Sequence, residues 1–444
     1  MASTYITNTS VTPTNAKKYT FSFWVKRSKI LLGATAQRVI NVYTDSDNKL
    51  QVAFGTDDRL SIFDKESGAT RFSVTPSMLF RDPAAWYHIV IAADTTQSTS
   101  SDRMKIYVNG VLQTALESSP TYAGQDTNTG AQLTGSGARR IGANESAANH
   151  FDGLLTHFHF IDGTQYAASD FGSTDSTTGE WKINTNPTVT YGNNGYFILK
   201  NGNSVTDQSG NSNNWAVGAG TLTDLQDNPS NNFSVMNSIV RTTDGTFSNT
   251  NNTFAQSQNA WHSGFGTIAM EKGAGKYYIE FKGLSGTKFG FGISDFKNSG
   301  VFDRSQRGEN RYVGEYANSY GYHYGGNFYY SGSSTSSGYD SFTSSHVIGM
   351  AVDMENMKIY FHKDGVYQGS ANPASNNGYT IVDPLNCYFP TISVEAASAS
   401  MNAGNGVFGT TAISSEGTNA SNIGKFEYDV PTGYTALSTK GLNE

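Results

Sequence analysis

The chain has 444 residues, more than one hydrophobic core usually organises, so two or three domains are expected. Its formal net charge of -7 is spread without blocks of like charge, which excludes nucleic acid and anionic membranes as expected partners. Only 15% of residues are charged, whereas Gly (47), Tyr (25) and Phe (26) are abundant, and this composition predicts an all-β protein.

The N-terminus and the single cysteine bear on export, membrane insertion and disulfide bonding. MASTYITNTS lacks a basic segment followed by an apolar one, and no apolar run reaches the about 18 residues of a spanning helix. Cys387 cannot form an intrachain disulfide, so stability has to come from sheet packing. We therefore expect neither membrane insertion nor export by a recognisable signal, and no cofactor.

The first predicted β-sandwich spans residues 1–165. YTFSFWVKRS at 19–28 alternates apolar and polar positions, as expected for a strand with one buried face. WYHIVIAAD at 86–94 is apolar on both faces and predicts a central strand. FDGLLTHFHFIDG at 151–163 predicts the last strand of this region.

Two groups of polar residues in this region raise metal-binding hypotheses. Asp45, Asp47 and Asn48 in VYTDSDNKL offer oxygen atoms that can hold calcium, although a polar turn explains the same letters. His157 and His159 in THFHF would lie on one face of a strand, where a symmetric trimer could gather them around iron or zinc. The prediction is that no metal site exists, with calcium at the first group as the alternative.

Two nearly identical stretches predict β-hairpins. MKIYVNGVLQ at 104–113 and MKIYFHKDGVYQ at 357–368 each end an alternating run at Asn109-Gly110 or Asp364-Gly365. Both dipeptides tolerate the positive φ angles of a type I′ turn. The repetition favours an internal duplication or two domains of related fold over convergence.

The ordered motifs FSFWVKR, WYHIVIAADTT, KIYVNG, ARRIGA and FDGLLTHFHFIDG resemble the laminin G-like branch of the concanavalin A-like lectin superfamily. The resemblance implies an antiparallel sandwich of jelly-roll type. Because laminin G-like domains often bind calcium at a sandwich rim, it also supports the calcium alternative at Asp45, Asp47 and Asn48.

Residues 166–235 are predicted to form a loop-rich connector. Stretches such as DQSGNSNNWAV are rich in Gly, Asn and Ser, and only two strand-like runs interrupt them. We expect this segment to pack against its neighbours without a core of its own. It resembles connectors in predicted structural proteins of tailed bacteriophages, where such a segment follows a laminin G-like unit.

The second predicted sandwich spans residues 236–444. The ordered motifs YYIEF, FGFGIS, YGYHYGG, HVIGMAVDMENMKIYFHKDGVYQG and YFPTISV resemble the SPRY domain family. That family also has a concanavalin A-like sandwich. The predicted architecture is therefore two antiparallel β-sandwiches of related fold, joined by the connector.

The segment 315–342 is rich in tyrosine. Aromatic rings with hydroxyl groups suit stacking on sugars and contact with proteins. Tyr322 and Tyr324 belong to a core strand of the SPRY pattern and are expected to be structural. The predicted ligand-binding surface consists of Tyr316, Tyr329, Tyr330 and Tyr339.

No catalytic residues are predicted. Glycosidases of this superfamily commonly present Glu-x-Asp-x-Glu on one strand face, and the chain has no such triplet. Asp353 and Glu355 have suitable spacing but stand just before a turn, where acidic residues are ordinary. No Ser/His/Asp order is recognisable either.

These observations predict a non-enzymatic virion surface protein of a tailed bacteriophage, assembled in the host cytoplasm. It would be a tail- or fibre-associated adhesin or a capsid decoration protein. Its expected partners are other virion proteins, host-surface glycans and further copies of itself, for example in a trimer. The alternatives are a carbohydrate-active enzyme of the concanavalin A-like superfamily and a secreted bacterial lectin.

Overall fold

A computed structural model describes residues 4–9, 11–30, 35–132, 138–202, 204–241, 245–295, 311–315, 317–335, 338–382 and 387–443. Regular structure in these ranges is almost entirely β-strand, with no α-helix, which confirms the all-β prediction. Within the same ranges, no helix is long and apolar enough to cross a membrane. The chain divides into two compact units, Met1–Asp224 and Leu225–Glu444.

The first unit contains fifteen strands among its described residues, and short 3-10 helices lie at Ser100–Asp102, Gly130–Gln132 and Ala168–Asp170. The strands are β1 Tyr5–Asn8, β2 Lys18–Arg27, β3 Gln37–Asp45, β4 Asn48–Phe54, β5 Leu60–Glu66, β6 Ala69–Val74, β7 Trp86–Asp94, β8 Met104–Val108, β9 Val111–Leu112, β10 Ala138–Ile141, β11 Gly153–Asp162, β12 Gly172–Thr174, β13 Trp181–Ile183, β14 Tyr196–Ile198 and β15 Ala216–Ala219.

Two antiparallel sheets of the first unit form a sandwich. One has the strand order β15-β1-β10-β3-β4-β5-β6 and the other β14-β11-β2-β7-β8-β9. Side chains at alternate positions of both sheets fill one buried core, for example Phe21 and Phe23 of β2 opposite Val52 of β4 and Ile62 of β5. Strands β12 and β13 pair separately.

Strand β2 is buried on both faces, which corrects the expectation of one exposed face. The chain that follows β11 covers the outer face of β2, β7 and β11, and its side chains Phe171, Trp181 and Tyr191 pack there. Trp181 Nε1 donates to His88 Nδ1 at 3.0 Å, and Trp24 stacks on His88 at 5.0 Å between ring centroids. The polar residues of β2 thus face the chain that follows β11, and they do not face solvent.

The predicted connector is divided between the two units. Strand β14 adds to β11 and strand β15 adds to β1, so residues 166–224 complete the two sheets of the first unit. Residues 225–235 belong to the second unit. Strand β14 is buried at all three positions and β15 is exposed at all four, so neither shows an alternating pattern.

The second unit has short 3-10 helices at Pro373–Ser375 and Gly441–Asn443 among its described residues. Its strands are β16 Met236–Arg241, β17 Thr246–Ser248, β18 Thr253–Gln256, β19 His262–Gly266, β20 Met270–Glu271, β21 Lys276–Ser285, β22 Lys288–Ser294, β23 Ser319–His323, β24 Asn327–Tyr330, β25 Ser333–Thr335, β26 Val347–Asp353, β27 Lys358–Lys363, β28 Val366–Tyr367, β29 Tyr379–Thr380, β30 Cys387–Glu395, β31 Ala397–Asn402, β32 Val407–Phe408, β33 Thr411–Ala412 and β34 Thr435–Ala436.

The second unit is also a sandwich of two sheets. Their principal strand orders are β16-β19-β30-β22-β23-β24-β25 and β17-β18-β31-β21-β26-β27-β28. Aromatic and aliphatic side chains of both sheets fill the core between them, such as Phe291 of β22 and Phe281 of β21, whose rings stack at 5.1 Å. The outer face of β21, β26 and β27 is covered by Phe426, Val430 and Tyr434 from the C-terminal part of the chain.

Both repeated stretches fold as the predicted hairpins. Strand β8 turns into β9 through Asn109 (φ 46°) and Gly110 (φ 81°), and β27 turns into β28 through Asp364 (φ 48°) and Gly365 (φ 83°). Positive φ at both central residues is the signature of a type I′ turn.

The two turns are held in the same way. The main-chain N–H of Asn109 donates to His88 O, and that of Asp364 donates to Val347 O, both at 2.9 Å. In return, the N–H of His88 donates to Asn109 Oδ1 at 2.7 Å and the N–H of Val347 donates to Asp364 Oδ1 at 2.8 Å. Each turn side chain therefore fastens its hairpin to the preceding strand.

A second matched feature lies at the other end of the same strands. Lys18 pairs with Asp94 at 3.1 Å, and Lys276 pairs with Asp353 at 3.2 Å, in each case across neighbouring strands. The strand order β11-β2-β7-β8-β9 in the first unit thus corresponds to β31-β21-β26-β27-β28 in the second. The two sandwiches share a five-stranded frame.

We expect Gly110→Ala to lower the free energy of unfolding by about 3 kcal/mol. The φ of Gly110 is costly for any residue with a Cβ, and that Cβ would lie 2.4 Å from the Trp181 ring. Gly179→Ala is the matched control, since Gly179 has φ 74° but open space around it and carries only the backbone strain of about 1 kcal/mol. Urea unfolding measures both, and equal losses would contradict the role of the Trp181 contact.

Candidate binding surface

The tyrosine-rich segment forms the hairpin of β23 and β24. Alternation along these strands sends Tyr320, Tyr322 and Phe328 into the core of the second unit. The same alternation places His323 and Tyr329 on the outer face of the sheet.

Aromatic rings gather around His323, and that of Tyr324 also packs against the core of the unit. Its ring centroid lies 4.4 Å from those of Tyr312 and Tyr324, 5.3 Å from Trp261 and 5.5 Å from Tyr329. Tyr312 also contacts Trp261 at 4.8 Å and Tyr329 at 5.0 Å. We call these five residues the aromatic cluster.

The aromatic cluster has a buried base and an accessible rim. Trp261 and Tyr312 are only 8% and 9% exposed, whereas His323, Tyr324 and Tyr329 are half-buried. Burial, together with the nearby Lys288, lowers the pKa of His323 to about 4, so its ring is neutral at pH 7. Lys288 is itself neutralised by Glu395, with 2.6 Å between Nζ and Oε1. The surface is therefore aromatic and carries no net charge from these groups.

The structure does not bring the four predicted tyrosines together. Only Tyr329 lies in the aromatic cluster, and Tyr316 falls outside the described residues. Tyr330 and Tyr339 are on the core side of the sheet, where Tyr330 contacts Tyr379 at 5.0 Å and Tyr339 contacts Phe328 at 5.6 Å. Adjacent strand positions point to opposite faces, which separates Tyr329 from Tyr330.

The two tyrosines expected to be structural have different places. Tyr322 is buried and donates a hydrogen bond to Asp340 O. Tyr324 is half-buried at the rim of the aromatic cluster. The sequence did not indicate Trp261 and Tyr312, which come from separate segments, or His323, which stands between Tyr322 and Tyr324 in the tyrosine-rich segment.

The calcium candidates lie in the exposed turn between β3 and β4. Asp45 Oδ1 accepts from the N–H of Asp47 at 2.8 Å and from Asn48 Nδ2 at 3.0 Å. Asp47 Oδ1 pairs with Lys65 Nζ at 2.6 Å, and Asn48 Oδ1 accepts from the N–H of Ser67 at 2.9 Å. A cation at this turn would have to displace several of these bonds.

The two histidines of THFHF do not form a regular pair on β11. His157 has a φ of 48° and stands in a β-bulge, since the register between β11 and β2 shifts between Thr156 and His159. His159 is buried, stacks on Phe197 at 3.9 Å and contacts Tyr191 OH through Nδ1 at 2.9 Å. No group of three or more His, Cys, Asp or Glu able to hold a metal ion occurs within the described ranges.

A serine of β2 and a histidine of β7 lie within hydrogen-bonding distance of each other. His88 Nε2 lies 2.9 Å from Ser22 Oγ, but His88 Nδ1 already accepts a hydrogen bond from Trp181 Nε1. The ring proton is therefore on Nε2, whose N–H donates a hydrogen bond to Ser22 Oγ, so this imidazole does not activate the hydroxyl. Burial also lowers the pKa of His88 to about 3.

The acidic pair near the second hairpin is engaged in its turn. Lys276 Nζ lies 3.2 Å from Asp353 and 3.4 Å from Glu355, and Asp353 also accepts from the N–H of Asn356 at 2.8 Å. The two carboxylates share one cation and do not face each other across a groove.

Comparison with known families identifies both sandwiches. Residues 1–169 match the family model of the concanavalin A-like lectin/glucanases superfamily, and residues 276–406 match that of the SPRY domain. The chain therefore combines a concanavalin A-like domain with a SPRY domain, which confirms the two domain resemblances seen in the sequence.

Solved structures with similarity to this chain come from different settings. The SPRY domain of human HERC1 is 16% identical, with 37% of this chain and 96% of that chain covered and a TM-score of 0.29. A native heptameric SAP-like pentraxin from Limulus polyphemus is 13% identical. The match covers 49% of this chain and 90% of that chain, with a TM-score of 0.30. Domain 4 of AbnA, a GH43 extracellular arabinanase from Geobacillus stearothermophilus in complex with arabinotriose, is 18% identical, with coverages of 34% and 63% and a TM-score of 0.24. No curated protein matches the chain.

Proposed function

We propose that this chain is a non-enzymatic surface protein of a tailed bacteriophage virion, acting as a tail- or fibre-associated adhesin or as a capsid decoration protein. Its function would be contact with host-surface glycans or with neighbouring virion proteins. The observation that carries this proposal is the aromatic cluster, an uncharged group of rings whose rim is accessible on a rigid sheet face.

The build of the aromatic cluster favours binding. Trp261 and Tyr312 form a buried base that fixes the half-buried rings, so little side-chain entropy is lost when a ligand stacks on Tyr324 or Tyr329. Tyrosine hydroxyls can also donate and accept hydrogen bonds at the edge of such a contact. A neutral sugar ring or an uncharged protein surface fits this chemistry better than an ionic ligand.

The virion assignment rests on the residues of the chain. Residues 166–235 resemble connectors of predicted tailed-phage structural proteins, and the low charge and the single cysteine suit a particle exposed outside cells. Antibody labelling of intact particles, viewed by electron microscopy, tests the assignment and separates head from tail. Particles without label would overturn it.

We expect Tyr329→Ala to weaken binding to an array of bacterial surface polysaccharides by about tenfold or more, equivalent to about 1.4 kcal/mol. The reason is the loss of one ring from the accessible rim of the aromatic cluster. Tyr43→Ala is the matched control, since Tyr43 is a half-buried tyrosine of the other unit, and we expect it to bind like the unmodified protein.

The same samples distinguish the alternatives. Equal binding by both variants would contradict the assignment of the ligand surface to the aromatic cluster. Release of reducing ends from a bound polysaccharide would instead support a carbohydrate-active enzyme. Appearance of the protein in the culture medium without phage would support a secreted lectin.

A further inference from the structure

Strand β15 is an unusual edge of the first unit. Among the described residues it ends the seven-stranded sheet and pairs only with β1, through the partners Tyr5 with Ala219, Ile6 with Val217 and Thr7 with Ala216. Its four residues, Ala-Val-Gly-Ala, are all exposed and none is charged. Within the described ranges, none of these residues forms a main-chain hydrogen bond outside the sheet.

The position of β15 is nevertheless fixed. Trp215, the residue before it, is buried and packs edge-on against Tyr196 with 5.0 Å between ring centroids. The ring of Tyr5 lies so close to Gly218 that a Cβ there would be 2.1 Å from it. Strand β15 is therefore held in a fixed position, and its outer edge is open for pairing with another strand.

The opposite edge of the same sheet is closed. Strand β6 carries the charged Arg71, which pairs with Glu66. Its outer side is bridged by Thr121 opposite Ser73, and the chain just beyond it by Leu116 opposite Pro76. Charges and covering chain are usual protections of an edge strand, and among the described residues β15 has neither. Its register against β1 shifts between Tyr5 and Ile6, while Ala216 and Val217 pair in sequence with Thr7 and Ile6.

We propose that β15 pairs antiparallel with β15 of a second copy of this chain, which makes a homodimer with one continuous sheet. The strand contains no charge, so two copies bring no like charges together, and its small side chains allow close approach of the backbones. A two-fold pairing uses this edge once in each chain. Because β6 is closed, the sheet cannot grow further, and the assembly stops at a dimer.

This inference does not depend on the proposed virion function or on the aromatic cluster. It specifies a dimer, whereas the virion setting alone suggested a trimer as one example. An interface formed by one short edge strand buries little surface and belongs to the weak protein–protein interfaces, so we expect a dissociation constant of the dimer in the micromolar range.

Sedimentation velocity of the full chain between about 1 and 100 µM is the test, because this range brackets a micromolar dissociation constant. We expect monomer at the low end and dimer at the high end. Val217→Lys places a charge in the middle of the edge and should weaken the dimer by about 100-fold or more. Val217 is 46% exposed, so the variant keeps its core.

Val11→Lys is the matched control, because Val11 is an equally exposed valine (52%) outside β15 in the same unit. It should dimerise like the unmodified chain. Far-UV circular dichroism and the thermal midpoint verify that both variants are folded. A chain that stays monomeric at the highest concentration overturns the proposal and leaves a strand of another protein as the occupant. A dimer that Val217→Lys leaves intact also overturns it.

Discussion

Replacing Glu280 by alanine is expected to lower the free energy of unfolding of the second unit by about 3 kcal/mol or more. Glu280 is fully buried on β21. Its carboxylate accepts from the N–H groups of Glu427 and Tyr428 at 2.9 and 2.8 Å and from Asn402 Nδ2 at 3.1 Å. Alanine would leave these buried donors without acceptors and would release the C-terminal segment from the sheet.

Calorimetry of the full chain measures the effect, because the transition of the second unit should move while that of the first stays in place. Glu355→Ala is the control, since this carboxylate is half exposed and makes one ion pair. It should cost less than about 1 kcal/mol. A similar loss in both variants would show that the hydrogen bonds of Glu280 are not the cause.

The same residue predicts a pH dependence. Burial raises the pKa of Glu280 from its ordinary 4.5 to about 7, although four hydrogen bonds oppose the shift. A raised pKa in the folded state means that the contribution of this group to stability is complete below pH 4.5 and is lost as the pH rises through about 7. The difference between the unmodified chain and Glu280→Gln should therefore change by about 3 kcal/mol between these limits.

That difference isolates Glu280 from other titrating groups of the unit. His323 and His362 both have pKa values lowered to about 4 by burial, so their contribution is lost as the pH falls below 6.5. Both are present in the two proteins, and the glutamine of Glu280→Gln retains an acceptor for Tyr278 OH, which links Glu280 to His362, so their contributions cancel in the comparison. A difference that does not vary with pH would contradict the raised pKa of Glu280.

Removal of the Asp58 carboxylate is expected to be the most damaging single change in the first unit. Asp58 and Arg27 are each 2% exposed and form an ion pair of 3.1 Å inside the sandwich, and Arg81 contacts the second oxygen at 3.1 Å. Asp58→Ala leaves a buried guanidinium without its counter-ion and places alanine at a φ of 66°. We expect a loss of about 4 kcal/mol.

Tryptophan fluorescence during urea unfolding is a suitable measurement, since four of the five tryptophans are in the first unit. Asp57→Ala provides the neighbouring control. Asp57 is exposed and its pair with Arg59 at 3.0 Å lies at the surface, so the loss should stay below about 1 kcal/mol. Equal effects of the two substitutions would refute the importance of the buried pair.

Alternation and turn chemistry were sufficient to predict the main strands. The strand predicted at 86–94 from its continuous apolar run and both hairpins predicted from Asn-Gly or Asp-Gly appear at the expected residues. The repeated residues MKIY do not occupy equivalent positions in the two hairpins. The N–H of Gln113 bonds to Ile106 O and that of Gln368 bonds to Phe361 O, so Ile106 corresponds to Phe361 and not to Ile359. The shared letters MKIY are displaced by two residues between the two frames.

Features that depend on distant partners could not be read in the sequence. Strand β1 lies between β10 and β15, and no pattern in its four residues predicts which strands pair with it. The candidate surface has the same origin. Local alternation explains why Tyr329 and Tyr330 point to opposite faces of the sheet. The contacts of Trp261 and Tyr312 with His323, in contrast, depend on how distant parts of the chain pack together.

The covering chain behind each sandwich has a practical consequence for fragments. The SPRY family match ends at residue 406, whereas Phe426, Val430 and Tyr434 shield the outer side of the sheet that carries Glu280. A truncated product cut at the match would expose this apolar layer together with a carboxylate that has lost its amide donors. Expression boundaries for the isolated second unit should therefore extend to the C-terminal strand β34.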